Sequence, residues 1–435
     1  MPEHLGHPDP SEAAGVPSDP YSGWCAAVRI VCVGAGPAGL YFAISAKLRD
    51  AGHDITVFDR DPPAATYGWG VVYWDDLLDV LYRNDPESAW EVTARSVLWQ
   101  DQEVRVHGPC GEQTAYFGGY GYSMSRSALL DVLARRASQL GVDVRYGHPV
   151  ADLSALPEAD LLVAADGANS RIRGHHGAFG TRIDVGLNPY IWLGTDQTFR
   201  SFVFSFERTS AGWIWFHAYP SVAGTSTCIV ECSPQTWRGL GLDVLGPDEG
   251  VRLLEDIFKR ALDGHRLLSR SRGAPAHWQR FAHVTNETWY HGTTVLVGDA
   301  AHTTHFTLGS GTRLAIIDAI VLAHSLYEFL DVEDALREYD RHRRAELHPV
   351  QAAARTSMAW FEHLDQYIDR DAVAFAHAMS VRHGGQSPWH HQLHLASQIA
   401  AVRTARRAFA TGRRWYLARR RGEGPGPGRL LPRAP

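Results

Sequence analysis

Three short strings hold the residues best suited to chemistry. Val33-Gly-Ala-Gly-Pro-Ala-Gly-Leu40 sets glycines at G-x-G-x-x-G spacing. Gly34 permits a tight turn after a strand, Gly36 lets the backbone approach a pyrophosphate, and Gly39 lets a helix pack on the sheet. Pro37 and Ala38 open that helix, whose unsatisfied N–H groups and dipole favour negative charge. Asp59, with Arg60 beside it, ends the next strand-like run, where a carboxylate can accept from ribose hydroxyls. The second string, Ala164-Ala-Asp-Gly-Ala-Asn-Ser-Arg-Ile-Arg173, puts Asp166 and Gly167 at a strand end. Alone it reads equally as a nucleotide contact and as an Asp-Gly turn capping a helix. The third is Leu296-Val-Gly-Asp-Ala-Ala-His302, followed by Thr303-Thr-His-Phe-Thr-Leu-Gly-Ser-Gly-Thr-Arg313. Asp299 there can accept from a sugar-type hydroxyl, and Gly309 and Gly311 open another helix.

Positioning these strings requires an α/β frame. Residues 28–34 read as a strand, 37–51 as a helix and 54–59 as a second strand, a β-α-β unit. Residues 92–117 alternate like antiparallel strands, 125–140 have helical spacing, and 143–146, 160–165 and 295–297 read as strands. The stretch 190–232 is strand-rich and aromatic. Helix dominates from 311 to about 418, with a break near 384–388. The expected organisation is a disordered leader (1–27), a nucleotide-binding domain in three segments (28–91, 118–178, 290–350), substrate-domain strands (92–117), a substrate-binding β-sheet domain (179–289), C-terminal helices (351–418) and a disordered tail (419–435).

Composition narrows the function. A net charge of −6 over 435 residues offers no broad cationic surface, so neither nucleic acid nor membrane is an expected partner. The apolar run 28–48 is broken by Gly34, Gly36, Pro37 and Gly39, and 314–330 carries Asp318, His324 and Glu328, so neither is expected to span a bilayer. Cysteines 25, 32, 110, 228 and 232 show no pairing pattern, which fits reduced thiols in the cytoplasm. The 23 histidines include no HExxH, and His175-His176 and His390-His391 are merely adjacent, so no metal is expected.

In order and spacing, the three strings resemble the class A FAD monooxygenases. That implies a p-hydroxybenzoate hydroxylase-like FAD-binding Rossmann-type domain with an inserted β-sheet substrate domain and a C-terminal helical region. Tyr67-Gly-Trp-Gly-Val-Val-Tyr73, Ile191-Trp-Leu-Gly194, Gly212-Trp-Ile-Trp-Phe-His-Ala-Tyr219, Ile229-Val-Glu-Cys232 and the 305–312 loop are similar to the salicylyl-CoA 5-hydroxylase branch. That branch also holds the monooxygenase half of anthraniloyl-CoA monooxygenase/reductase. Its bifunctional members add a second oxidoreductase domain, which a chain of this length is not expected to hold. Departures from the wider class are Phe306 where many members have Pro, and Arg313 where many have Asn. Ile317 stands where the branch usually has an acid.

The resemblance implies FAD on Gly34, Gly36, Pro37, Ala38, Gly39, Asp59, Arg60 and Asp299. Arg126 would lie near the phosphates, and Asp166 and Gly167 would serve both FAD and NAD(P)H. The helix opened by Gly309 and Gly311 would face the pyrimidine edge of the flavin. The resemblance further implies that NAD(P)H reduces the flavin, that O2 adds to it, and that the flavin hydroperoxide attacks an electron-rich ring of a CoA-thioester-activated aromatic acid. Epoxidation, dearomatisation or other oxidative ring modification, or a non-oxygenating flavoprotein reductase, stay open. Trp213, Trp215, His217 and Tyr219 alternate, so they share one sheet face. That face either lines an aromatic pocket, with His217 hydrogen-bonded to substrate, or is ordinary core. His305 is a candidate base or donor, or a loop-positioning residue; Trp69 and Gly70 would shape the cavity beside the ring. A monomer or homodimer is expected.

Overall fold

The computed structural model describes residues 27–63, 65, 68–108, 111–175, 177–222, 224–270, 275–382, 388–422 and 429–430. Residues 1–26 of the expected leader (1–27), Tyr67, Cys110, His176, most of the expected tail and residues 384–387 of the expected break lie outside these residues, as do the side chains of His390 and His391.

The run Ile-Val-Cys-Val of Arg29–Val33 is apolar in sequence and buried, as an inner parallel strand requires. Asp54–Phe58 and Leu161–Ala164 flank it in parallel. Asp143–Arg145 extends one side of the six-stranded sheet; Thr294–Leu296 and Tyr290–His291 extend the other. Val33 is level with Ala164, and Ala164 with Leu296. All three strings therefore leave the sheet at one carboxyl edge, where open α/β sheets bind ligands.

The first helix, Pro37–Arg49, starts at that edge with Pro37 in its first turn. It packs along Gly311–Glu328. A Cβ on Gly39 would stand 2.0 Å from the Gly34 carbonyl oxygen, so only glycine allows this approach. Gly34 itself sits at φ +111°, a conformation open to glycine.

An eight-stranded sheet forms a second layer. Its main path runs Leu267–Leu268, Arg182–Thr195, Thr225–Cys232, Gly212–Val222, Phe202–Thr209, Gln102–Gly108 and Gly111–Tyr116; Gln279–Thr285 pairs with the first part of Arg182–Thr195. A four-stranded sheet holds Gly70–Tyr73, Tyr120–Ser125, Val97–Gln100 and Arg429–Leu430. The long helix Val332–Glu362 and the helix Ala372–Ser380 supply Trp360, Phe361 and Phe375 to the core on one face of the large sheet.

Two expectations need correction. Residues 92–95 are not strand: they close the helix Pro86–Arg95, which Asp85 caps through the Ser88 N–H and Pro86 opens. Val97–Gln100 then joins the small sheet, leaving only Gln102–Gly108 and Gly111–Tyr116 on the large one. At the other end, helix Ala400–Arg421 passes the expected limit at 418, and Arg429–Leu430 pairs with Val97 and Leu98. No helix among the described residues is long and apolar enough to cross a membrane.

Asp318, fully buried in Gly311–Glu328, binds the third string to two helices. It accepts from His302 Nε2 at 2.7 Å, Arg343 Nε at 2.9 Å and the Gly298 N–H at 3.0 Å. Burial opposes its ionisation, but His302 and Arg343 outweigh that and hold its carboxyl below the ordinary range. Asp318→Ala leaves Arg343 buried without its main partner and is expected to cost about 3–5 kcal/mol. Urea unfolding checks this; an unchanged midpoint would contradict it.

Candidate active site and cofactor cleft

Two cavities, about 710 and 970 Å³, open along the carboxyl edge and share Gly36, Arg126, Asn169, Tyr190, Trp192 and Asp299. Each is within the range of small-molecule sites. One is a polar wing that includes Asp59, Arg60 and Tyr146. The other is a chamber with aromatic walls.

In the wing, a Cβ on Gly36 would meet nothing, so open space lies at the N-terminus of the first helix. The Asp59 carboxylate accepts from the Ala35 N–H at 2.6 Å and the Asp61 N–H at 2.9 Å, which shapes the phosphate-side turn while Asp59 still lines the wing. Arg60 lines it too and pairs with Asp61 at 3.5 Å. Ser125 caps the helix Arg126–Gln139 by accepting from the Ala128 N–H, and this sets Arg126 at the junction. Asp299 faces it from the turn Gly298–Ala300.

Burial lowers the Arg126 guanidinium and raises the Asp299 carboxyl, and each opposes that effect on the other. Asp299 is solvent-accessible and lines both cavities. Among the described residues neither closes a salt bridge. Trp192 Nε1, buried at the same junction, has no partner there either. A donor, an acceptor and an indole N–H thus converge beside a helix N-terminus. That set fits a dinucleotide bearing phosphates and a hydroxylated chain, as FAD does.

In the second string, the capping arrangement is the one that forms around one oxygen of Asp166, while its Oδ1 is buried without a partner among the described residues. Asp166 accepts from the Arg171 N–H at 2.8 Å and the Ile172 N–H at 3.4 Å, so it caps Arg171–His175 and does not line the cleft. Gly167, at φ +83°, does line it. Arg173, buried behind, donates to the Ala300 oxygen at 2.8 Å and the Ala168 oxygen at 2.6 Å, stitching the second string to the third.

Strand register builds the chamber. Trp192 pairs with Ile229, Ile229 with His217 and His217 with Phe204, and all four line the cavity. Tyr219 lines it as well and donates to the Gly70 oxygen at 3.1 Å. Phe306, the departure from the wider class, forms a wall: its ring stands 5.5 Å from His217 and 4.6 Å from Tyr190. Gly309 adopts φ +62°, where a Cβ would press to 2.9 Å from Trp74, and Gly311 begins the helix whose N-terminus opens on the chamber.

Four expected site residues lie elsewhere. Trp215 does share the His217 face, but one row away: it pairs with Glu231 and Phe206, and its ring stacks on Phe361 at 6.0 Å. The helix Val332–Glu362 covers that row, so the cavity ends before it. Trp213 lies beyond, over Gly108 and beneath Arg208. Trp69 lines the wing rather than the chamber, with its indole against Gly194, where a Cβ would stand 2.5 Å away. His305 turns from the cavity; its Nδ1 bonds Thr307 Oγ1 at 2.8 Å, and Thr307 bonds Ser357 at 2.8 Å.

Arg382 has no sequence signal, being one arginine among many in a helical stretch. It follows Ala372–Ser380 and lines the chamber. It donates to Ser357 Oγ at 2.9 Å, the Met379 oxygen at 2.7 Å and the Thr307 oxygen at 3.0 Å. No carboxylate pairs with it among the described residues, and burial lowers its pKa to about 10. Burial, and next the charge of Arg382, push His217 down to about 3; burial, with His217 and Arg382, does the same to His305. Both imidazoles are neutral at physiological pH.

A Rossmann-type sheet with a dinucleotide wing continuous with an aromatic chamber defines a flavoprotein oxidoreductase. The family described as FAD binding domain matches residues 131–354. Salicyloyl-CoA 5-hydroxylase of a Streptomyces species is 38% identical over 78% of this chain, which spans 66% of that relative, just under two thirds of its length. The 3-hydroxy-4-methyl-anthranilyl-[aryl-carrier protein] 5-monooxygenase of Streptosporangium sibiricum is 38% identical over 78% of this chain and 90% of its own. Among solved structures, the tetrameric form of 2-methyl-3-hydroxypyridine-5-carboxylic acid oxygenase matches with TM-score 0.59 and 22% identity, covering 85% of this chain and 96% of that one. The chain belongs to the FAD-dependent aromatic monooxygenases, and FAD is the cofactor of that family.

Asp299→Ala is expected to lower the FAD content of purified protein at least several-fold, read from flavin absorbance per polypeptide; full retention would remove this role. Acid sensitivity follows from the histidines. An unfolded His217 or His305 takes a proton near pH 6.5, while the folded one stays neutral to about 3. Their stabilisation is therefore complete above about 6.5 and lost as pH falls, at up to about 1.4 kcal/mol per unit for each. Denaturant titrations from pH 7 to 5 should show a shallower decline in His217→Phe than in wild type.

Proposed function

We propose that the chain hydroxylates the ring of a phenolic or amino-substituted aromatic acid held as a thioester, salicylyl-CoA or a close analogue. The observation that carries the reading is the pairing, in one aromatic chamber, of a buried guanidinium lacking a carboxylate with a neutral imidazole lacking a hydrogen bond among the described residues. One similar relative is named for an aromatic acyl group on CoA and another for one on an aryl-carrier protein, which supports a thioester-held substrate.

FAD, when bound, supplies electron uptake from a reduced nicotinamide and activation of O2. The chain supplies position and field. Phe117, Phe202, Phe204 and Phe306 sandwich an aromatic ring and exclude water. His217 accepts the hydrogen bond of the substrate hydroxyl or amine. Arg382 favours negative charge on that oxygen, which enriches the ring carbon para to it. A thioester removes the substrate's carboxylate charge, so the chamber holds one anion at a time.

Nicotinamide oxidation with and without salicylyl-CoA tests the reading. Substrate-stimulated consumption and a product heavier by one oxygen support it; consumption indifferent to every aromatic thioester overturns it. His217→Ala should lower the coupling of nicotinamide use to product. Arg382→Met should lower kcat/KM about 10- to 100-fold, the value of one charge-assisted hydrogen bond; unchanged kinetics would remove Arg382 from the site.

A further inference from the structure

The helix Ala400–Arg421 carries eight arginines and no acid on a chain of net charge −6. Helical geometry sorts them. Positions 403, 407, 411, 414, 418 and 421 fall on one side and hold the helix to the body. Arg403 lies over the Tyr116 ring at 4.1 Å, Arg407 pairs with Asp101, Thr411 bonds Gln100, and Arg421 pairs with Asp75 and Asp79. Positions 406, 409, 413, 416 and 420 make an outward stripe, Arg, Phe, Arg, Tyr, Arg, in which Arg406 stands at the edge with its guanidinium beside Gly118. All five are exposed, Phe409 at 77% and Tyr416 at 56%. None of these three arginines meets a carboxylate among the described residues. Beside the stripe, Trp415 is 62% exposed.

Aromatic and arginine side chains are the types that dominate protein interfaces, and three uncompensated cations call for an acidic surface. An anionic bilayer fits less well: aromatics and arginines interleave on one face instead of segregating into an apolar side. A second copy meeting through the same stripe would set cation against cation. The stripe spans roughly 21 Å at 1.5 Å per residue, longer than a nucleotide phosphate head needs.

Its place in the fold supplies the rest. The helix lies on 100–101 and 116–118, with Arg406 over Gly118, and Gln102 and Phe117 of those segments line the aromatic chamber. We propose that this stripe docks an acidic carrier protein that presents the aromatic acid as a thioester on a flexible phosphopantetheine arm. The proposal rests on the thioester reading above and adds the partner and its surface.

The test compares wild type with Arg406→Glu/Arg413→Glu/Arg420→Glu, using the full chain with FAD. Probes are a salicylyl thioester on an acidic acyl carrier protein and salicylyl-CoA. The variant should raise KM for the carrier-bound substrate at least 10-fold while leaving kcat and all salicylyl-CoA constants unchanged. Wild-type KM for the carrier should rise with salt. Equal kinetics of the two proteins on the carrier substrate overturn the docking site, as does an equal loss on both substrates. Loss of self-association in sedimentation, or of binding to phosphatidylserine vesicles, without a carrier-specific effect also overturns it. Failure of wild type to oxidise nicotinamide with either thioester refutes the substrate reading instead. Fluorescence anisotropy of labelled carrier still tests docking in that case: equal affinity for wild type and variant overturns it.

Discussion

Parallel pairing levels Val33, Ala164 and Leu296 at one edge of the six-stranded sheet, and the site depends on that alignment. Separated by more than a hundred residues each, the three strings meet only because their strands share backbone hydrogen bonds. Two buried cations then lock the turns that follow. Arg173 bridges the second turn to the third through carbonyl oxygens, and Arg343 holds Asp318, which holds His302 and the Gly298 amide. Such groups are costly to strand away from water, so the arrangement tolerates little drift. The first helix can then reach the cleft because Gly39 lets it press on the sheet.

Electrostatics divides the cleft into two environments. At the junction, Arg126 and Asp299 face one another without closing, which leaves both available to a polar ligand. In the chamber, burial and Arg382 keep His217 neutral, and Arg382 stands beside it as a buried cation without a carboxylate partner among the described residues, while Arg126, Arg280 and Asp299 line other parts of the same cavity. Glu231, one row behind, has its carboxyl pushed up to about 8 by burial and is held by Asn188 at 2.8 Å. A buried cation beside a neutral imidazole and aromatic walls suits an aromatic substrate with an ionisable substituent.

Much of the nucleotide wing was legible in the residues themselves. Glycine spacing is a backbone requirement, so Gly34, Gly36 and Gly39 carry their roles locally, and an acid at the end of the second strand follows from the same unit. Asp166 was not resolvable this way: an Asp-Gly turn that caps a helix and one that binds a nucleotide have identical sequence, and the structure shows Oδ2 in the cap and Oδ1 buried without a partner among the described residues. The alternation from Trp213 to Tyr219 correctly placed four side chains on one face. It could not show that a helix more than a hundred residues later covers half of that face. Arg382 was invisible because its significance is the absence of a carboxylate around it, a property of distant segments.

Local sequence, then, determined the Rossmann-type entry, the cofactor class and the helix-turn chemistry, because glycine conformations, proline positions and strand periodicity act over a few residues. Tertiary structure decided which aromatics form the chamber, that His305 bonds Thr307 in the loop while His217 lines the cavity, and that a guanidinium from the C-terminal region joins the wall. Those outcomes depend on which buried groups lack a partner, and burial and partnership arise only when remote segments pack together.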